Sequence, residues 1–251
     1  MNLPKLLKTM RRHDFTKELK DFEYETKFDV RNARLGSLEI LKKIRGCFKN
    51  KSQFLLCEIA GGDKLLTRVL FFVMDGTEYS LFKYRGARML KVKKHRIIKW
   101  RGFNVFKNDE RLIIDRNDFT KKLKRFRYRF RRHKYNLADL GKLLGKNSTR
   151  LNYSGEMIKE RVKDFVLNTS DGRIYAVSVS FCRSGNKTQK QLEIEYAGYA
   201  PGFGNLRKGS EKQVVSGVGE LSKYIYERFP KLLKPSRERK FDFVKRMRKK
   251  V

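Results

Sequence analysis

From about residue 53 to residue 107 the chain is written in short runs, FLLCEI, LLTRVLFFV, EYSLFKYR, RMLKVKKH and FNVF, with the turn sequences AGGD and MDGT between them. Runs of this length, rich in β-branched and aromatic residues and bounded by Gly and Asp, form antiparallel strands joined by tight turns. Residues 21 to 30, DFEYETKFDV, alternate polar and apolar side chains almost strictly. Further strands are expected over about 161 to 168 and 173 to 182, flanking the turn TSDG, and over 191 to 196. The polar side of these strands is charged, which the hydrocarbon core of a sandwich would not accept and a barrel with a wet interior does. The expected fold is therefore α+β: a closed antiparallel β barrel, a tunnel of about eight strands, with flanking helices.

Helical spacing accompanies the strands. Leu3, Leu6, Leu7 and Met10 define an amphipathic opening helix, Leu35, Leu38, Leu41, Ile44 and Phe48 a second within residues 32 to 48, and residues 136 to 144 and 218 to 229 two more. No internal repeat and no Pro- or Ser-rich linker divides the chain, so residues 1–251 are expected as a single domain with basic helical extensions at its N- and C-terminal ends. The hydrophobic share, 39%, suffices for a core.

The 62 Lys and Arg exceed the 27 Asp and Glu by 35, a field that recruits and steers phosphate-bearing polyanions. A generally basic proteome accounts for the same excess as solvated surface. Cys47, Cys57 and Cys182 form no CxxC or Cys/His cluster, which excludes a disulfide framework and a structural zinc site of ordinary spacing. His13, His95 and His133 are dispersed without metal spacing. No apolar run approaches a membrane span, and MNLPKLLKTMRRHDF lacks a secretory apolar core, so a cytoplasmic protein without a transmembrane segment is expected.

The candidate chemistry lies on strand faces. With a period of two, Glu23, Glu25 and Lys27 share one side of FEYETKF, and Phe22, Tyr24, Thr26 and Phe28 share the other. Carboxylates two residues apart on a strand can hold Mg²⁺ or Mn²⁺ through oxygen, and a neighbouring ammonium can grip a phosphate that the metal bridges. A second acid pair, Glu193 and Glu195 in QLEIEY, repeats the pattern late in the chain. Between them run cationic rows: Lys83 and Arg85, Lys91 and Lys93, Arg161 and Lys163, then Arg173, with Arg68 a further candidate by alternation. In KRFRYRFRR, Arg125, Arg127, Arg129 and Arg131 line one side and Phe126, Tyr128 and Phe130 the other. That segment reads as a tunnel wall, with an external RNA-binding ribbon as the alternative. The loop AGYAPGFGN lacks the Lys-Ser/Thr ending of a P-loop and reads as a turn.

These residues resemble the CYTH family of triphosphate tunnel enzymes. The family's E-x-E-x-K hallmark is matched by Glu23, Glu25 and Lys27, and its late acidic strand by QLEIEY. The late region is similar to polyphosphate polymerase domains, through RVKDFVLNTSDGRIY, QLEIEY and PSRERKFDFV. The resemblance spans roughly residues 22 to 244 and is dense at its ends. It implies an eight-stranded tunnel in which Glu23, Glu25, Glu193 and Glu195 coordinate Mg²⁺ or Mn²⁺ or position water. In it Glu25 and Lys27 are the catalytic pair, and Lys27 contacts phosphate. Lys83, Arg85, Lys91, Lys93, Arg127, Arg129, Arg161, Lys163 and Arg173 are the further phosphate-binding candidates.

The function so implied is metal-dependent phosphohydrolysis or phosphoryl transfer on a triphosphate-bearing substrate or polyphosphate, with RNA a further partner. The alternatives are a non-catalytic basic barrel that binds RNA or another phosphate polyanion, and a nucleic-acid protein with no tunnel. In the last case Glu23 and Glu193 should lie far apart on solvent faces.

Overall fold

The structure, a computed structural model, describes residues 22–32, 34–48, 53–57, 65–74, 77–84, 87–112, 151–200 and 210–248. The expected helices over 3–10 and 136–144, the KRFRYRFRR segment and the loop at 201–205 lie outside the described residues.

Among the described residues ten strands occur in chain order: β1 (Phe22–Val30), β2 (Phe54–Cys57), β3 (Leu65–Met74), β4 (Thr77–Tyr84), β5 (Ala87–Trp100), β6 (Phe103–Leu112), β7 (Leu151–Asn168), β8 (Arg173–Ser184), β9 (Lys187–Tyr199) and β10 (Leu233–Pro235). All pair antiparallel, in the order β10-β1-β6-β5-β4-β3-β7-β8-β9, with β2 on β7. The path curls back on itself at β1, which pairs with β6 over Phe22–Glu25 and with β9 over Glu25–Asp29. This corrects the expected closed barrel. β1 serves its two neighbours with different halves, and Glu25 alone stands in both registers. Phe103–Val105 of β6 and Ala197–Tyr199 of β9 have no register partner on β1, so the curled sheet stays open along this seam.

The outer face carries the main core. Tyr24 and Phe28 of β1, Val177 and Val179 of β8, and Leu192, Ile194 and Tyr196 of β9 pack there against two helices. The first, α1 (Ser37–Arg45), buries Ser37, Ile40, Leu41 and Ile44, one stripe at three- and four-residue spacing. Its start is fixed by Glu39, whose Oε2 accepts the Gly36 N–H at 2.6 Å, and its last turn carries Lys42, Lys43 and Arg45 against the dipole. The second, α2 (Glu211–Arg228), opens on a capping box in which Ser210 and Gln213 exchange hydrogen bonds. It lies close on the sheet because Gly217 and Gly219 lack side chains. A Cβ would meet Tyr175 Oη at 2.0 Å in the first case and Trp100 Cδ2 at 2.3 Å in the second. Thr26 Oγ1 and Ser222 Oγ share a hydrogen bond of 2.5 Å across this contact.

The third helix, α3 (Lys240–Arg248), lies on the opposite, inner face. Phe241, Phe243 and Val244 pack there against Val69 and Phe71 of β3, Met157 of β7 and Cys182 of β8. Gly155, at φ 131°, makes room for Val244, whose Cγ1 would stand 2.5 Å from an added Cβ. The segment before α3 is tied to both arms of the curl. Gln189 Nε2 donates to Glu238 Oε2 at 2.7 Å and Gln191 Nε2 to the Glu238 carbonyl at 2.8 Å. From the other side, Arg239 reaches Glu78 on β4 at 2.6 Å and His95 Nδ1 on β5 at 2.8 Å. No helix among the described residues is long and apolar enough to cross a membrane.

Candidate functional site

Registration brings the two acid strands side by side. In the β1–β9 ladder Glu25 stands opposite Glu195 and Lys27 opposite Glu193, and directly opposed residues project from the same face. The row continues from Glu193 to Ser178 of β8 and Lys163 of β7, and the next row joins Gln191, Ser180 and Arg161. All of these residues point away from the helix-packed core, onto the inner face.

The charges there are desolvated and joined. Glu25, Lys27 and Glu193 are 5%, 7% and 4% exposed. Lys27 Nζ lies 2.8 Å from Glu25 Oε1 and 2.9 Å from Glu193 Oε1, so one ammonium links the acid of the first strand to that of the last. Asn108, buried on β6, donates its amide to Glu25 Oε1 at 2.7 Å and to Glu23 Oε2 at 3.2 Å, drawing the early pair together. Glu193 takes more: Lys240, the first residue of α3, bonds to the same Oε1 that Lys27 uses, and Ser180 donates to Oε2 at 3.3 Å. Burial alone would raise the Glu193 carboxyl, but Lys240, Lys27 and Lys159 overcome it and hold the group well below the usual carboxylate range. Lys159 on β7 moves the other way for a base. Burial and the neighbouring Lys240 and Arg161 push its ammonium well below the ordinary lysine value, against the pull of Glu193.

Several sequence candidates go elsewhere. Arg173 is buried against Asp171, at 2.6 Å, with Tyr199 Oη at 3.2 Å and Gln213 of α2 at 3.4 Å, at the start of that outer helix. Alternation along β8 is unbroken here, and it places Arg173 with Tyr175, Val177 and Val179 on the outer side, opposite the side of Ser178 and Ser180; the extra residue of the bulge, Ala197, is on β9. Arg68 forms a bidentate pair with Glu156, with contacts from 2.6 to 3.1 Å, on the face turned away from Val69 and Phe71. Lys91 and Lys93 stand opposite Ser80 and Glu78 in register, and Lys83 opposite Arg88. The side chains of these lysines, and Arg85, Arg127 and Arg129 entirely, lie outside the described residues. Glu23 and Glu193 do not lie far apart on solvent faces, as a nucleic-acid protein without a tunnel would have them: Asn108 joins Glu23 to Glu25, and Lys27 joins Glu25 to the buried Glu193.

Asn108, Lys159 and Ser180 were missed by sequence reasoning, and Lys240 entered it only within the segment PSRERKFDFV, with no role in the site. Lys159 did carry a signal, since it continues the Arg161/Lys163 alternation two residues upstream, but the strand was expected to start at 161 and in fact runs from Leu151. Asn108 was lost the same way, on a strand expected to stop near 107.

A curled antiparallel sheet with two helices on its outer face and a buried acid–base network on its inner face is an open form of the closed tunnel implied by the resemblance to CYTH-like proteins. Among solved structures the chain is similar to HpAC1 from Hippeastrum, a candidate adenylyl cyclase with a dominant triphosphatase activity. The two share 14% identity at a TM-score of 0.49, over 90% of this chain and 95% of that one. It is also similar to a candidate adenylate cyclase from Bacillus halodurans (12% identity, TM-score 0.46, 89% and 98% covered). A third likeness is to the S. pombe RNA triphosphatase Pct1 (8% identity, TM-score 0.39, 84% and 85% covered). No family model matches the chain, and no curated protein does.

Proposed function

We propose that this protein is a divalent-metal-dependent phosphohydrolase or phosphotransferase acting on a triphosphate or polyphosphate group: inorganic triphosphate, a nucleoside triphosphate, an RNA 5′-triphosphate end or polyphosphate. The observation that carries the reading is the buried Glu25–Lys27–Glu193 network on the inner face. Apolar residues would fill the same volume at lower free-energy cost, so charges kept there are better explained by a charged ligand than by folding.

Glu23 and Glu25, held together by Asn108, with Glu195 opposite Glu25 in register, are an all-oxygen donor set that suits a hard cation such as Mg²⁺ or Mn²⁺. Among the described residues no three acids, histidines or cysteines are already gathered as ligands. A bound ion would neutralise phosphate oxygens. The chain's own residues supply the rest: Lys27, Arg161 and Lys163 bind phosphate oxygens on the inner face, with Lys91 and Lys93 as candidates on β5. Glu25 orients the attacking water, and the ammonium groups stabilise charge on the departing phosphate as its P–O bond breaks.

The test is phosphate release from tripolyphosphate, ATP and a 5′-triphosphorylated RNA with Mg²⁺ or Mn²⁺. Glu25→Gln is the variant of choice, because its amide oxygen still accepts from Asn108 and Lys27. Glu25→Ala would leave a buried ammonium and amide under-bonded and confuse loss of fold with loss of chemistry. Release that falls at least about a hundredfold in Glu25→Gln supports the reading. No release by the wild type from any substrate overturns it in favour of the non-catalytic polyanion binder.

A further inference from the structure

One row of directly opposed residues crosses the inner face through the acid pair. It runs from Phe165 of β7 to Ala176 of β8, Glu195 of β9, Glu25 of β1, Phe106 of β6 and Ile97 of β5. The acids thus stand between two stretches of hydrocarbon. On one flank Phe165 and Ala176 are 2% and 6% exposed and already covered. On the other, Phe106 is 1% exposed but Ile97 beside it is 44% exposed. Among the described residues the other exposed large apolar side chains are Leu38 on α1 and Leu66 and Ile158 on the outer side of β3 and β7, so Ile97 is the one that faces inward. On β5 it lies between His95 and Lys99, and Lys99 donates to Asn104 at 2.6 Å. Lys27 Nζ, which links Glu25 to Glu193, stands 5.5 Å from the centre of the Phe106 ring, so the apolar wall is continuous with the charged network.

We infer that Ile97, backed by Phe106, seats the nucleoside of a 5′-triphosphorylated ligand, either a free nucleoside triphosphate or an RNA 5′ end. An inorganic phosphate chain gains nothing from exposed hydrocarbon. A ligand that is charged at one end and largely apolar at the other matches a row that passes from carboxylates to an aliphatic side chain. Two strand spacings, about 10 Å, separate β1 from β5, which leaves room for phosphate groups between Glu25 and the nucleoside. The seat therefore favours nucleoside-bearing ligands over tripolyphosphate and polyphosphate. The inference rests on the reading of the inner face as a triphosphate site, but not on turnover.

The experiment is calorimetric titration of the full chain with ATP and with tripolyphosphate, in EDTA at fixed salt, read as the ratio of the two affinities. Ile97→Val and Ile97→Thr give side chains of one shape that differ by a methyl against a hydroxyl, so comparing them separates hydrocarbon contact from volume. The ratio is expected to fall about fivefold in Ile97→Thr and to stay within about twofold of the wild type in Ile97→Val. Leu66→Thr, an exposed position on the outer side, should keep the wild-type ratio. An unchanged ratio in Ile97→Thr overturns the inference, as does an equal fall in Ile97→Thr and Leu66→Thr. A 5′-triphosphorylated RNA, measured against the same RNA with a 5′-hydroxyl, separates the two sources. Loss of its preference in Ile97→Thr supports a seat that also takes an RNA end, and a retained preference beside a fallen ATP ratio supports one for the free nucleotide. Phosphate release by the same variants keeps the two readings apart. A fallen ratio with no release from any substrate would sink the enzymatic reading and leave the seat standing, and release with an unchanged ratio would do the reverse.

Discussion

Lys159 shows how a single inner-face residue ties function to stability. Its ammonium is penalised by burial and by Lys240 and Arg161, so in the folded chain it releases its proton at lower pH than in the unfolded chain. Between the folded value and the unfolded value near 10.4 the unfolded state binds more protons, and this residue's contribution to stability rises as pH rises. At neutral pH the side chain therefore costs stability. Lys159→Met is predicted to be more stable than the wild type at pH 7, by an advantage that shrinks as pH approaches 10. Urea midpoints of both proteins across pH 7 to 10 measure it. A pH-independent difference would mean that Lys159 keeps its ordinary affinity for protons. Residues of this kind were only partly legible. The E-x-E-x-K alternation of β1 and the acid pair of β9 stand out in sequence because strand period alone puts them on one face. Asn108 does not, and Lys240 shows only as part of PSRERKFDFV, because an amide at a strand end and a lysine at a helix start acquire their meaning from what lies across the interior.

At the scale of elements, α2 is placed by what it lacks. Gly217 and Gly219 let its backbone approach Tyr175 and Trp100, and a methyl group at Gly219 would stand 2.3 Å from Trp100 Cδ2. In an exposed helix Gly→Ala gains about 1 kcal/mol of propensity. Here the clash with a rigid indole outweighs it, and Gly219→Ala is predicted to destabilise by about 1–3 kcal/mol, as overpacking of a close-packed contact does. A lowered urea midpoint at unchanged slope would show this, and an unchanged or raised midpoint would mean that the helix shifts without cost. The helix was foreseen over 218 to 229 and runs Glu211–Arg228, because the two glycines that weaken its helical signature are what its packing requires. Arg68 shows the matching limit for strands. In LLTRVLFFV both faces are largely apolar, so period two gives no inner side, and the structure turns Arg68 outward to Glu156. Arg173 failed by parity: in RIYAVSVS it shares a side with Tyr175, Val177 and Val179, which pack in the outer core, while Ser178 and Ser180 take the inner side.

For the whole molecule, with its net charge of +35, stability and polyanion binding respond to salt with opposite signs. Sixty-two cationic side chains on 251 residues repel one another in the compact state more than in the expanded one, and added salt screens that repulsion. Polyanion binding runs the other way, since salt competes for the same cations and screens their attraction. Raising NaCl from about 50 to 500 mM, which shortens the screening length from above 10 Å to below 5 Å, should therefore raise the melting temperature of the free protein. The same change should weaken tripolyphosphate binding in EDTA by at least about tenfold. Differential scanning calorimetry and calorimetric titration on one preparation give both signs. The part of the binding that survives high salt is the informative remainder. Lys27, Glu25 and Glu193 are desolvated and screened little, so affinity contributed by the interior persists, whereas affinity contributed by surface charge disappears. Binding lost entirely at 500 mM NaCl, with Glu193→Gln no different from the wild type, would place the phosphate site on the exterior. Residual binding that Lys240→Met removes would place it inside the curled sheet, where the two acid strands meet.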